Sequence, residues 1–454
     1  VAEETSLFFE SALLPGGWRS GVRLELRGGR IARLSADTAP RAGDEICGIA
    51  LPGLANVHSH GFQRGLAGAA EFRGGTDNFW TWRDAMYRFV TAVSPEDAEA
   101  ITALAYAEML EGGFTRVGEF HYLHNDPSGV RYDNPAEMSE RIAAAATTSG
   151  IGLTLLPVLY ERGGFDGRPP NPAQRRFCTG LDGFQQLHAK AMEIIGKLDG
   201  AVLGLAPHSL RAVAPSSLAA LAPFMKNRPV HIHVSEQRRE VADCEQYLKA
   251  RPVQWLLDNQ DIDTRWCFIH ATHMDGSENA RLAASGAVAG LCPLSEANLG
   301  DGLFPLPAFL ERGGRFAIGS DANNILSTVE ELRILEYGQR LQKEARNVAA
   351  GDESPSTGRT LYEGARAGGA QALQGSNGLA EGEPADIVAL DATSEVFAGR
   401  HGDRLLDSFI FAGSNRLIRA VWRHGRKLVQ DGRHIRKDEI VSNYLKSMTR
   451  LSAA

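Results

Sequence analysis

The sequence predicts an α/β chain: a TIM-like (β/α)8 barrel carrying a small β-sandwich domain formed from both chain ends. Three observations lead there. Through the middle of the 454 residues, short apolar runs alternate with longer helix-like segments, the pattern of repeated βα units on a parallel sheet. Both ends instead carry alternating apolar residues around glycine-containing turns. The first apolar run of the middle region closes on two histidines, in VHSHGFQRGLAG over residues 57 to 68.

Residues 1 to 50 read as the N-terminal part of the small β domain, with SLFFESALL followed by GVRLEL and RIARLSA around the turn RGG. Residues 51 to 378 read as the barrel. Its candidate strands are IALPGLANVHSH (49 to 60), TRVGEFHY (115 to 122), GLTLLPVLY (152 to 160), VLGLAPH (202 to 208), VHIHVSE (230 to 236), WCFIHA (266 to 271), AVAGLCP (287 to 293) and FAIGSD (316 to 321). Helical stretches lie between them. In SPEDAEAITALAYAEMLEGG, Ser94 can cap, acidic residues follow in the first turn and glycines close the end. Residues 379 to 430 return to the β pattern in ADIVALDA and AVWRHGRKLVQDG, and residues 431 to 454 hold a closing helix, KDEIVSNYLKSMTRL. A doubly wound sheet is disfavoured, because no GxGxxG follows the first strand and no GxxxxGK[ST] occurs.

The residue balance, 43% hydrophobic and 23% charged, is that of an ordinary soluble enzyme, and a net charge of -7 argues against nucleic acid as a partner. Five cysteines (Cys47, Cys178, Cys244, Cys267, Cys292) form no CxxC pair, so a reducing, cytoplasmic location is expected rather than a disulfide framework. The start, VAEETSLFFE, has no basic-then-apolar leader pattern, and no run approaches eighteen apolar residues. No membrane association is expected.

Barrel enzymes place their active groups where strands end. Here strand one ends in His58 and His60, strand two in Glu119 and His121, and strand four in His208. Strand five offers His231 and His233 followed by Glu236, strand six His270, and strand eight Asp321. Histidines one residue apart on a strand point to the same side. An HxH pair alone suits two satisfied core histidines as well as a metal, but convergence of several such strand ends favours the metal. Three histidines and an aspartate suit zinc, with one position left open for water. Period two cannot choose between His231 and His233. His124 and His273 fall in loops as ordinary polar residues, and no role is assigned to Glu119 or His121.

The chain resembles the amidohydrolase superfamily in its mononuclear deaminase branch, over nearly its whole length. The resemblance is carried by His58-Ser-His60, His233-Val-Ser-Glu236, His270, Asp321 in IGSDANN, and the junctions LPGLANVHSH and GLAEGEPADIVALD. It implies metal ligation by His58, His60, His233 and Asp321, choosing His233 over His231. It also implies one metal per chain, since no lysine ends strand four to bridge a second. Zinc is expected, with ferrous iron as the alternative. Within that branch, HSHGFQRGLAG, VGEFHYLHND and APHSLRAV resemble the formimidoylglutamate deiminases of histidine degradation. That narrower resemblance implies hydrolysis of N-formimidoyl-L-glutamate, a small anionic substrate, to N-formyl-L-glutamate and ammonia. Gln63 and His208 would contact the formimino group, and Arg83, Tyr122 and Arg211 the carboxylates. Asp321 would accept the proton of the attacking water, Glu236 would carry it to the departing nitrogen, and His270 would orient the attack. A homodimer is expected as well.

The arginines divide on position. Arg211 follows His208 by three residues in the loop after strand four, and its planar guanidinium suits bidentate carboxylate binding. Arg83 lies in NFWTWRDAMYRF, where aromatic residues can shape a pocket wall or pack a helix. The rival activities are deamination of guanine, an adenosine-like nucleoside or a triazine, flat rings that call for stacking more than for two arginines. A non-catalytic metal-binding barrel is the rival of another class. Cytidine-deaminase, serine-hydrolase and zinc-peptidase chemistry lack their H-x-E with P-C-x-x-C, GxSxG and HExxH motifs.

Overall fold

A computed structural model describes residues 5–71, 78–352 and 354–453. The chain begins with β1 (Thr5–Leu14), β2 (Gly17–Arg27), β3 (Arg30–Ser35) and β4 (Glu45–Pro52). The β2–β3 turn is made by Gly28 and Gly29 at φ 58° and 80°, a backbone that suits glycine. β4 is where the two chain ends meet. It pairs in parallel with β1 (Leu7 with Glu45 through Ala12 with Ala50), and antiparallel with a strand from the far end of the chain, Ile387 opposite Pro52 and Leu390 opposite Ile49.

The middle region supplies β5 (Leu54–Ser59), β6 (Phe114–His121), β7 (Gly152–Leu159), β8 (Val202–Leu203), β9 (Ala206–Pro207), β10 (Val230–Val234), β11 (Trp266–His270), β12 (Val288–Leu291) and β13 (Arg315–Ile318). They form two parallel sheets, β5-β6-β7-β8 with β9 on β7, and β10-β11-β12-β13. Isolated parallel bridges, Ser59 with Asp321 and Leu205 with Val230, connect the edges of one sheet to those of the other. Most of these strands, β5, β6, β7, β10, β11 and β12 among them, are buried at every position, as expected when helices cover one face and side chains fill the other. The C-terminal part adds β14 (Ile387–Leu390), β15 (Ile418–Arg423), β16 (Arg426–Gln430) and β17 (Arg433–His434), completing one terminal sheet in the order β17-β16-β15-β14-β4-β1-β2-β3. The fold is thus α/β with parallel sheets, and the chain ends share one sheet.

Two strand readings change. The run expected as one strand over 49 to 60 is two, β4 and β5, separated at Gly53, where an added Cβ would lie 2.2 Å from Thr115 Cγ2. VLGLAPH shrinks to the two-residue strands β8 and β9. Gly204 interrupts it, its N–H donating to Leu155 O at 2.9 Å.

The helix Pro95–Glu111 shows how sequence signals place the site. Ser94 Oγ accepts from Asp97 N at 3.2 Å while Asp97 Oδ2 accepts from Ser94 N at 2.8 Å, a capping box that contributes about 1 kcal/mol. The helix packs against the turn after His60, with Thr102 close to Gly61, and the C-terminal helix Lys437–Ser452 lies on it.

Candidate active site

The ends of β5 and β13 are interlocked by main-chain and side-chain hydrogen bonds. Ser320 N and Asp321 N both donate to His58 O, at 3.0 and 2.9 Å, and His60 N donates to Asp321 O at 3.1 Å. Asn56 Nδ2 donates to Ser320 Oγ at 2.6 Å, and Asn323 Nδ2 donates to Ser59 Oγ and His60 O at 3.1 and 3.0 Å. Gly319 makes the close approach possible, since a Cβ there would sit 2.9 Å from His58 N. The segments NVHSH and GSDANN therefore act as one unit. Backbone strain accumulates where strands end, with Asp321, Asn323, Ser235, His270 and Ala271 all at positive φ, between 44° and 68°.

His58, His60, His233 and Asp321 are all buried, and one ligand atom from each lies within 4.8 Å of the others. His58 Nε2 is 3.0 Å from His233 Nε2 and 3.4 Å from Asp321 Oδ1, which in turn is 3.3 Å from His60 Nε2. Backbone carbonyls fix the tautomers. His60 Nδ1 donates to Phe120 O at 2.9 Å and His233 Nδ1 to His208 O at 3.1 Å, and a carbonyl can only accept. Both Nε2 atoms are therefore left as inward lone pairs, the arrangement a bound cation requires of histidine. Burial pushes His58 down to about 3 and holds His60 and His233 below their ordinary range, which keeps the three rings neutral. Burial acts to raise the Asp321 carboxyl, but its interactions with His58, His60 and His270 outweigh it and hold the group well below the usual carboxylate range. Three neutral imidazole nitrogens and one carboxylate fit a single divalent ion.

Glu236 and His270 stand beside this group, with His270 Nε2 3.9 Å from Glu236 Oε1. Burial raises the Glu236 carboxyl to about 7. For His270, burial opposes the charge but is outweighed by Glu236, a hydrogen bond to Glu296 and Asp321, and the ring is pushed up to about 10. Its Nδ1 donates to Glu296 Oε1 at 3.2 Å.

All the site residues expected from sequence except His58 line a single cavity, and His58 lies fully buried among its fellow ligands. Gln63 Nε2 donates to Tyr122 OH at 2.7 Å, while Gln63 Oε1 is buried without a partner among the described residues. His208 Nδ1 contacts Ser209 Oγ at 3.0 Å. Among the described residues, Arg83 Nε and both Nε and Nη1 of Arg211 are buried without hydrogen-bond acceptors. Three guanidinium nitrogens are thus unpaired on residues of a wall otherwise shaped by Phe79, Trp82, Met86, Tyr87, Tyr160 and Phe177. Unpaired buried donors cost about 1 to 3 kcal/mol each and mark where an anion would be most stabilising.

The remaining histidines and Glu119 also find places. His231 shares a face with His233 but lies deeper, its Nε2 donating to Ala372 O at 3.0 Å, outside the ligand group. His124 Nε2 donates to Val158 O and His273 Nε2 to Asp301 O. Among the described residues His121 has both ring nitrogens buried without partners, and it packs edge-on against His124. Glu119 accepts from Gly61 N at 2.7 Å and from Tyr106 OH at 3.0 Å, clamping the turn that follows His60.

Residues 49–428 match the amidohydrolase family, and residues 4–48 match the N-terminal domain of formimidoylglutamate deiminase HutF. The chain belongs to the amidohydrolase family. Over 434 residues it is 49% identical to a formimidoylglutamate deiminase of Pseudomonas aeruginosa, covering 95% of this chain and 96% of that one. A more distant relative, a 5-methylthioadenosine/S-adenosylhomocysteine deaminase of Natronomonas pharaonis, is 28% identical over 84% of this chain and 82% of its own. The crystal structure of an amidohydrolase from Brucella melitensis superposes with a TM-score of 0.95 at 47% identity, over 99% of this chain and 100% of that one. This amidohydrolase is accordingly a hydrolase acting on C–N bonds.

Two features of the amidohydrolase site escaped sequence reasoning. Glu296, the partner of His270, sits in CPLSEANLG with no spacing that ties it to a residue 26 positions earlier. Phe120 packs 4.3 Å from His233 and 4.9 Å from His58 between ring centroids, yet it reads as an ordinary strand residue.

Proposed function

We propose that the protein hydrolyses N-formimidoyl-L-glutamate to N-formyl-L-glutamate and ammonia in histidine degradation, using one zinc ion, with ferrous iron as the alternative. The observation that carries this reading is the pair of arginines, Arg83 and Arg211, which line the cavity that holds the ligand group and carry buried N–H groups without partners among the described residues. A dicarboxylate completes those donors, whereas a flat ring leaves them empty. The 49% identity to a formimidoylglutamate deiminase supports the same substrate.

His58, His60, His233 and Asp321 would hold the zinc, which when bound acidifies water toward neutrality and polarises the amidine. Arg211 and Arg83, with the Tyr122 hydroxyl, take the glutamate carboxylates and set the amidine over the ligand group. Gln63 and His208 hold the formimino end. Asp321, kept ionised, accepts the proton of the attacking water at Oδ1 or Oδ2. Glu236, raised to about 7 and reacting in its ionised form, takes up that proton and delivers it to the nitrogen that leaves as ammonia. His270, held through Nδ1 by Glu296, presents Nε2 toward Glu236 and orients the attack. The aromatic wall excludes bulk water from the amidine.

At the level of fold, the two bridged parallel sheets are read as one (β/α)8 barrel over residues 51 to 378. The chain-end segments expected over 1 to 50 and 379 to 430 are read as a β-sandwich beside it; of the expected closing helix over 431 to 454, Arg433–His434 instead belongs to the terminal sheet as β17 and the helix spans Lys437–Ser452. The assembly is a homodimer, which the frequency of twofold assemblies favours and a solution mass would check. A cytoplasmic location agrees with five free cysteines. Among the described residues no helix is long and apolar enough to cross a membrane.

Ammonia release from metal-defined protein on N-formimidoyl-L-glutamate, guanine and a 5′-modified adenosine tests the assignment. The dicarboxylate should turn over fastest. Faster release from either ring would replace this assignment with its nearest rival.

A further inference from the structure

A second cavity lies beside the first, and Arg83 and Arg211 line both. These two guanidiniums therefore form the partition between the catalytic pocket and an outer chamber. The outer wall carries Arg168 and Arg239, whose side chains are 60% and 62% exposed. Arg83 and Arg239 both lie over the Trp80 ring, 4.5 and 4.8 Å from its centroid, so the indole holds an exposed cation and an inner one on the same support. Two carboxylates, Asp84 and Asp243, line the chamber against four guanidiniums. The acids nearest the outer arginines are only loosely engaged: Asp243 is 3.8 Å from Arg239 and Asp166 is 3.3 Å from Arg168, exposed pairs that contribute little and exchange readily.

This arrangement answers a difficulty set by composition. A chain of net charge -7 repels the two carboxylates of such a substrate at long range, and a locally cationic channel is the usual physical means of overcoming that. We propose that the outer chamber is a receiving site for the dicarboxylate substrate. In it Arg168 and Arg239 engage a carboxylate before Arg83 and Arg211 take it into the catalytic pocket. The proposal rests on the dicarboxylate assignment above and adds two specificity-determining residues to it.

The test compares wild type, the double variant Arg168→Gln with Arg239→Gln, and Arg239→Lys in metal-loaded protein, at low ionic strength and at about 1 M salt, where the Debye length is about 3 Å. Wild-type turnover of N-formimidoyl-L-glutamate checks the substrate assignment by itself, before any variant is considered. The double variant should lose about 3- to 10-fold in kcat/KM at low salt, with kcat and metal content unchanged, and the gap to wild type should close at high salt. Arg239→Lys, which keeps the charge, should stay near the wild-type value. If the double variant matches wild type at low salt, the chamber receives nothing. If the loss persists at high salt, lowers kcat and is shared by Arg239→Lys, the arginines support the Trp80 packing instead and the proposal falls.

Discussion

The floor and the wall of the catalytic pocket are built on opposite principles. On the floor most positions are determined by the protein itself: His60 and His233 are oriented by main-chain carbonyls, and Asp321 is fixed through the hydrogen bonds that join its strand end to that of His58, whose own Nδ1 is buried without a partner among the described residues. On the wall the polar atoms that matter most, on Arg83, Arg211 and Gln63, lack partners among the described residues. A preorganised floor suits chemistry common to many substrates, because donors and acceptors already in place need no reorganisation as the reaction proceeds. An unsatisfied wall suits selection, because only a substrate bearing the right charges completes it.

The contrast can be broken most severely at the floor. His233→Ala should reduce bound metal from about one ion per chain to a small fraction and lower kcat roughly 10³-fold or more, checked by metal analysis beside ammonia release. Metal retained with activity intact would remove His233 from the ligand group. Glu236→Gln should keep the metal and lose about 10²-fold in kcat. Burial places the wild-type Glu236 carboxyl at about 7, so it is protonated, and unable to accept a proton, as the pH falls below that value. Wild-type kcat/KM should therefore decline on the acid side with an apparent pKa near 7 belonging to the Glu236–His270 pair, and the glutamine variant should lose that limb.

Arg211→Met probes the wall. Charge-assisted hydrogen bonds to a carboxylate contribute roughly 1.5 to 3 kcal/mol each, so kcat/KM for N-formimidoyl-L-glutamate should drop by about 10- to 100-fold with metal content unchanged. Loss of metal in this variant would make Arg211 part of the floor. The smallest effect is expected at Glu296. Glu296→Gln keeps an acceptor for His270 Nδ1 but removes a charge. His270 should then titrate below its present value of about 10, visible in an imidazole resonance titration, with kcat reduced about 3- to 10-fold. An unshifted titration would leave Glu236 and Asp321 as the groups that hold the His270 proton.

The sequence exposed the floor more clearly than the wall for a physical reason. Side chains two apart on a strand share a face, so His58 and His60 could be paired from spacing alone. The same rule gave only the face, not the depth, for His231 and His233, and it took the carbonyl of Ala372 to show that His231 lies outside the ligand group. The terminal strands, the capped helix Pro95–Glu111 and the closing helix were legible because their signals are local. Two signals misled. The apolar run over 49 to 60 hid the change of sheet at Gly53, and VLGLAPH promised a longer strand than the chain makes around Gly204. Glu296 and the clamp from Glu119 to Gly61 depend on contacts between distant segments, for which no spacing exists to be read.

The claim that the substrate's own charges complete the wall is tested most directly by a cycle that pairs a change in the protein with a change in the substrate. Ammonia release is measured for wild type and Arg211→Met on N-formimidoyl-L-glutamate and on the analogue lacking one carboxylate. Wild type should prefer the dicarboxylate, and Arg211→Met should lose about 10- to 100-fold on it while changing much less on the truncated substrate, because the missing interaction was never available there. Equal losses on both substrates would contradict the account, leaving Arg211 a structural residue and the wall's selectivity unexplained.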